Sequence, residues 1–170
     1  MIDGNAVNLG ATVAGHMGVA IEKDGQWYHF YFGAQNAIPS LFGAGGTRAE
    51  LKKINFGNLP KNHDGINKLG VYEGTYTDSR YIKGDFSKSY DYIVNEIIGK
   101  ANYSALTYNC KDTSIDILLQ GNFGEYDVQY KEELARVKRR NRPNLAFGAF
   151  TTFHDNEAIR KRRKLEGIHV

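Results

Sequence analysis

The chain has 170 residues, a formal net charge of +3 and a mean hydropathy of −0.49. With 11 Tyr and 9 Phe it can bury a real core, which argues for one folded domain and against disorder. No apolar run approaches the length of a membrane span, and the start, Met1 to Ala6, shows no basic region followed by an apolar stretch, so neither a transmembrane segment nor a signal peptide is expected.

Residues 1–14 read as an irregular lead-in. Gly15 to Ile21 reads as a buried strand, Asp24-Gly25 as a hairpin turn, and Gln26 to Phe32 as a second, strongly aromatic strand. His16 opens the first strand and His29 lies in the second. Whether the two share a face depends on a register that the residues alone leave open. Residues 33–50, with Pro39, Gly43, Gly45 and Gly46, read as a loop over a cleft, without the Gly-Lys-Ser/Thr of a phosphate-binding loop. Leu51 to Phe56 is an expected short strand, Asn58 to Lys68 a loop, and Gly70 to Thr77 and Arg80 to Lys83 strand pieces.

Ser87 to Ile98 has helical spacing (Tyr90, Ile93, Val94, Ile97, Ile98), with Ser87 as expected N-cap and Gly99 as the stop. Ser104 to Tyr108 reads as an extended approach to Cys110, the single cysteine of the chain. Ile115, Leu118 and Leu119, followed by Gly121, put Cys110 in the first turn of a helix. There the free N–H groups and the positive end of the helix dipole favour thiolate over thiol. Gln129 to Arg140 is a third expected helix, and Glu157 to Leu165 a last amphipathic segment.

Charge is unevenly placed. Residues 131–170 hold eleven Lys/Arg against five Asp/Glu, and the other 130 residues hold eleven against fourteen. The basic excess therefore belongs to the tail, read as a helical extension over 129–170 beyond a catalytic unit over 1–128. Such a tail suits an anionic surface, nucleic acid or an acidic partner.

A cysteine nucleophile needs a base, a group that orients the base, and donors for the oxyanion. Of five histidines, His169 lies at the terminus, and His63 and His154 lie in loop-like polar sequence that suggests the surface. His16 and His29 sit in apolar strands and are the expected partners of Cys110. The backbone N–H of Cys110 is one expected oxyanion donor, Tyr108 a second, and Asn109 either an orienting group or a helix cap. No metal or cofactor is called for, since one Cys excludes a multi-thiolate site and the histidines lack zinc-type spacing.

Gly15-His-Met-Gly-Val-Ala-Ile, Asp24-Gly-Gln-Trp-Tyr-His-Phe and the distant Asn109-Cys110 resemble circularly permuted papain-like hydrolases, a group including NlpC-type peptidases and lecithin retinol acyltransferase-like enzymes. The resemblance implies an α+β fold in which an antiparallel sheet carries the histidines and packs on a helix whose N-terminus carries the cysteine. It assigns Cys110 as nucleophile, His16 as base and His29 as its orienting partner. Lys111 and Asp112 stand where the acyltransferase branch has Glu-His. Arg80 to Tyr90, with Tyr103 to Cys110, is similar to C-terminal toxin domains of Rhs-type polymorphic bacterial toxins. That similarity implies an antibacterial effector delivered into a target cell by a secretion system, with a cognate immunity protein as partner. The substrate implied is an amide of peptidoglycan or protein, or a phospholipid ester, with amide set slightly ahead. The other readings are a basic nucleic-acid-binding or nuclease-type toxin, and a non-catalytic binding relative.

Overall fold

The computed structural model describes residues 5–11, 16–35, 45–55 and 78–165. It is a mixed α+β structure with a five-stranded antiparallel sheet. The strands are β1 (Asn5–Ala11), β2 (His16–Lys23), β3 (Gln26–Ala34), β4 (Thr47–Ile54) and β5 (Asp78–Lys83), in the order β4-β3-β2-β1-β5. β2 and β3 form the expected hairpin. Its turn residues Asp24 and Gly25 have φ of 52° and 76°, the left-handed pair that a two-residue hairpin turn requires. Two expectations change. The lead-in contains β1, because Ala6↔Ile21 and Ala6↔Ile82 seat it between β2 and β5. The stretch read as a loop to residue 50 already contains the first half of β4. Loop 58–68 and the strand piece 70–77 lie outside the described residues.

The sheet buries Met17, Val19, Ile21, Phe30, Phe32 and Ile82 in one core with the helices. Successive residues alternate sides, so His16 and Ala20 face the opposite side of β2 from that core. Trp27 on β3 and Tyr81 on β5 meet on this second side with ring centroids 6.2 Å apart, although two strands separate them. The sheet therefore curls around the side that carries the histidines.

Helix α1 runs from Ser87 to Tyr92 and continues as a π turn over Ile93–Ile97, with Gly99 at φ 78° just beyond. Its N-cap position is Phe86. Ser87 instead gives its N–H and hydroxyl to the Asp85 carboxylate at 3.0 and 2.8 Å. The wider π turn buries Ile93 and Ile97 and leaves Val94 and Ile98 exposed, breaking the expected stripe. Helix α2 is Cys110–Leu119, α3 is Asp127–Lys138 and α4 is Pro143–Leu165.

The extension read over 129–170 is helical through residue 165, and its inner half is core. Tyr130, Leu134 and Val137 of α3, with Ala146, Phe147 and Phe150 of α4, pack in the same cluster as the sheet residues. Among the described residues no helix is long and apolar enough to cross a membrane.

Candidate active site

Helix α2 begins inside the protein. Asn109 through Ser114 are all buried, so each polar group of this first turn needs a partner. Asn109 is the N-cap. Its side-chain oxygen accepts from the N–H of Lys111 and of Asp112, while the Asp112 carboxylate accepts from the Asn109 N–H at 2.9 Å. This capping box is the physical reason that the helix starts at Cys110. Asn109 Nδ2 donates to the Ala105 carbonyl, so its side chain is spent on the cap and the preceding turn rather than on orienting a histidine.

The Lys111 ammonium is also buried. It meets Asp112 at 3.0 Å and donates to the carbonyls of Lys138 and Arg140 at 2.6 and 2.8 Å. A charge held away from water this way is fixed by its partners, so Lys111 ties the start of α2 to the end of α3.

Cys110 is 5% exposed. Its sulphur is approached by the N–H groups of Met17, Lys111 and Cys110 itself. One turn on, the Ser114 hydroxyl donates to the Met17 carbonyl at 3.2 Å. Both backbone polar groups of Met17 are thus turned to α2. The β2–β3 ladder explains how, running among the described residues from Lys23↔Gln26 to Val19↔Phe30. Beyond Val19 the first turn of α2 meets the backbone edge of β2, and the sulphur lies one residue from His16.

His16 and His29 share a face. His29 is paired with Ala20, which lies on the His16 side of β2. The His16 ring stacks on Tyr31 with centroids 5.6 Å apart and planes at 25°. A side chain at Gly33 would strike Tyr31, so glycine there gives that ring its place along β3. The Arg48 guanidinium covers Tyr31 at 4.9 Å and is bonded to Glu50. The cysteine reaches β2 at its backbone, on the boundary between this histidine face and the hydrophobic core.

Burial dominates the electrostatics. It holds His16 down to about 4. It holds His29 down to about 3, aided by the nearby His16 and Lys52 charges. It pushes the Cys110 thiol up to about 11, with the Asp112 charge adding to the rise. The expectation of a favoured thiolate is therefore overturned. A helix N-terminus contributes up to about 2 kcal/mol, and here that help and three N–H groups are outweighed by desolvation. These directions leave the thiol and both imidazoles neutral at neutral pH.

Tyr108 points elsewhere. Its hydroxyl donates to Asp116 at 3.1 Å, farther along α2, and Lys138 holds the other oxygen of that carboxylate at 2.7 Å. Desolvation and the Asp116 charge both push the phenol well above its usual range. Nor is the approach to Cys110 extended. Ser104 and Tyr108 exchange two backbone hydrogen bonds of 2.9 Å and close a tight turn with Leu106 near its tip. Of the first-turn donors, the Cys110 N–H is left directed at its own sulphur.

A second histidine site escaped the sequence reading. His154, expected at the surface, is half-buried in α4, where its Nδ1 lies 2.6 Å from the Tyr130 hydroxyl and its ring also bonds the Tyr81 backbone. The available signal was helical spacing of Ala146, Phe147, Phe150 and His154, interrupted to the eye by Gly148 and the two threonines. His63 and His169 lie outside the described residues. Among the described residues no three His, Cys, Asp or Glu side chains are grouped to hold a metal ion.

No protein-family model, no curated protein and no solved structure matches this chain.

Proposed function

We propose that the chain is a cysteine acyl hydrolase that works through an acyl-enzyme on Cys110, with His16 as base and His29 behind it. The observation that supports this most is the two-point grip of α2 on Met17. A capped helix start presents a sulphur to the Met17 N–H, one residue from a histidine that shares its face with a second histidine.

Transferring a proton from a thiol near 11 to an imidazole near 4 costs on the order of 10 kcal/mol in the resting protein. The proton therefore moves as the acyl carbon is engaged, not before. Sγ attacks that carbon, His16 takes the thiol proton, and the carbonyl oxygen gains charge beside the Cys110 N–H. The C–N or C–O bond then breaks, and His16 returns the proton to the departing amine or alcohol. Water, deprotonated by His16, attacks the thioester, releasing the acid and restoring the thiol. His29, buried and neutral, keeps the His16 environment free of a second positive charge.

The substrate classes are an amide of peptidoglycan or protein and a phospholipid acyl ester. The proposal also takes the permuted papain-like arrangement, and with it action as a delivered antibacterial effector opposed by an immunity protein. Incubating the wild type and Cys110→Ala with purified sacculi and with phospholipid vesicles tests the activity. The wild type is expected to release muropeptides or fatty acids and the variant neither. Equal release by a folded Cys110→Ala chain would contradict the assignment.

A further inference from the structure

About half of the cations on the described surface have a carboxylate partner, while Lys53, Lys83, Lys88, Lys100, Lys161 and Lys164 are exposed without one. Lys23 pairs with Asp91, Arg48 with Glu50, Arg80 with Asp155, Lys131 with Asp127, Arg136 with Glu133, Lys138 with Asp116, and Arg160 with Glu157. The corner between α3 and α4 gathers three such cations, all arginines, within four residues, whereas Arg48, Arg80, Arg136 and Arg160 each have a carboxylate. Arg139, Arg140 and Arg142 are all exposed, and among the described residues none of them meets an acidic side chain. Beside them Leu145 is 52% exposed in the first turn of α4.

This corner is fastened to the candidate active site. The Arg140 carbonyl accepts from Lys111 Nζ at 2.8 Å, next in sequence to Cys110. On the other flank of the same helix start, the Ala105 carbonyl accepts from Asn109 Nδ2 at 3.1 Å, and Leu106, the next residue, is 63% exposed. The backbones of Arg140 and Ala105 are thus tied to the residues that follow and precede the cysteine, and the exposed arginines, Leu106 and Leu145 lie within a few residues of those two ties.

We infer that this rim is a docking surface for an anionic phospholipid bilayer. Guanidinium forks match phosphate oxygens, and leucines enter the acyl boundary. The leucines decide the occupant. A nucleic-acid backbone would profit from the arginines but gives two exposed leucines nothing to bury against. On the reading of Cys110 as nucleophile, docking brings its site to acyl bonds at a lipid surface. The docking itself does not depend on that chemistry.

Co-sedimentation of the full chain with phosphatidylcholine vesicles, with and without phosphatidylglycerol, tests it. The expected result is binding to the anionic vesicles that weakens in salt, unchanged in Cys110→Ala. The triple variant R139Q/R140Q/R142Q should lose on the order of a hundredfold in affinity, since each such charge near a membrane is worth about fivefold. Leu106→Ser with Leu145→Ser should weaken binding severalfold with all charges in place. Equal binding to neutral vesicles, an unchanged triple variant with a native melting curve, or a duplex oligonucleotide bound in preference to vesicles would overturn the inference. An active Cys110→Ala that still sediments would overturn the nucleophile and leave the docking surface standing.

Discussion

Two histidine sites, one buried and one half-buried, lie on different parts of this fold. At His154 the ring is held by Tyr130 of α3 at 2.6 Å and by the backbone of β5, next to the Arg80–Asp155 ion pair at 2.8 Å and stacked on Phe150. Its hydrogen bonds fasten three elements together, which is the work of a structural clamp. At His16 the ring stacks on Tyr31, next in sequence to a residue whose N–H and carbonyl both serve the cysteine helix. Both sites hold imidazole below its usual range by burial. Depressed basicity alone therefore does not mark a catalytic histidine. What separates them is sequence neighbourhood: His16 adjoins Met17, whose N–H meets the Cys110 sulphur, and on the proposed function that makes His16 the base.

The sharpest way to break this comparison is to remove each histidine in turn. His16→Asn should lower turnover by roughly 10² to 10⁴, the usual span for loss of a general base. His154→Gln should leave turnover per folded molecule within about twofold while lowering the melting temperature. Equal losses of turnover would erase the distinction.

Next in size is Lys111→Met. It strands the Asp112 carboxylate, buried with a side chain 11% exposed, and leaves two carbonyls of the α3 end without their donor. Breaking a buried pair on one side costs about 3 to 5 kcal/mol, measurable by urea denaturation. A loss below about 1 kcal/mol would show that α2 and α3 do not depend on this tie.

Acid should erode stability at the hairpin site. His16 and His29 are neutral in the folded protein down to about 4 and about 3, whereas the unfolded chain protonates near 6.5. Their stabilising contribution is complete above 6.5 and declines as pH falls through the window to the folded values, by about 3 kcal/mol for His16. Melting temperatures should fall steadily from pH 7 to pH 4, and His16→Asn with His29→Gln should flatten that slope. The smallest effect expected is that of Tyr130→Phe. It removes one hydrogen bond worth about 1 kcal/mol and should leave catalysis unchanged.

The hairpin and the helix start at Cys110 were legible because each rests on local chemistry. Asp24-Gly25 supplies two left-handed residues, and Asn109 with Asp112 forms a cap. β1 was not legible. Its run Asn5-Ala-Val-Asn-Leu-Gly-Ala11 mixes small and polar residues that show no clear alternation, and its strand form comes from partners on both edges. Helix α1 misled through Ser87, a good cap by type, whose hydroxyl goes to Asp85 instead.

At the candidate site, residue identities were readable but protonation was not. Helix position predicts thiolate, and only the packing around Cys110 reveals that desolvation prevails. The shared face of His16 and His29 likewise waited on the Ala20↔His29 pairing, which no single strand encodes.

The central claim is a covalent acyl intermediate on Cys110 formed with the help of His16. Intact-mass and peptide-mapping measurements after mixing the protein with an activated acyl ester test it directly. The account predicts one acyl group on the wild type, mapped to Cys110, absent from Cys110→Ala and formed at least a hundredfold more slowly in His16→Asn. An adduct on another residue, or one formed equally fast without His16, would contradict it.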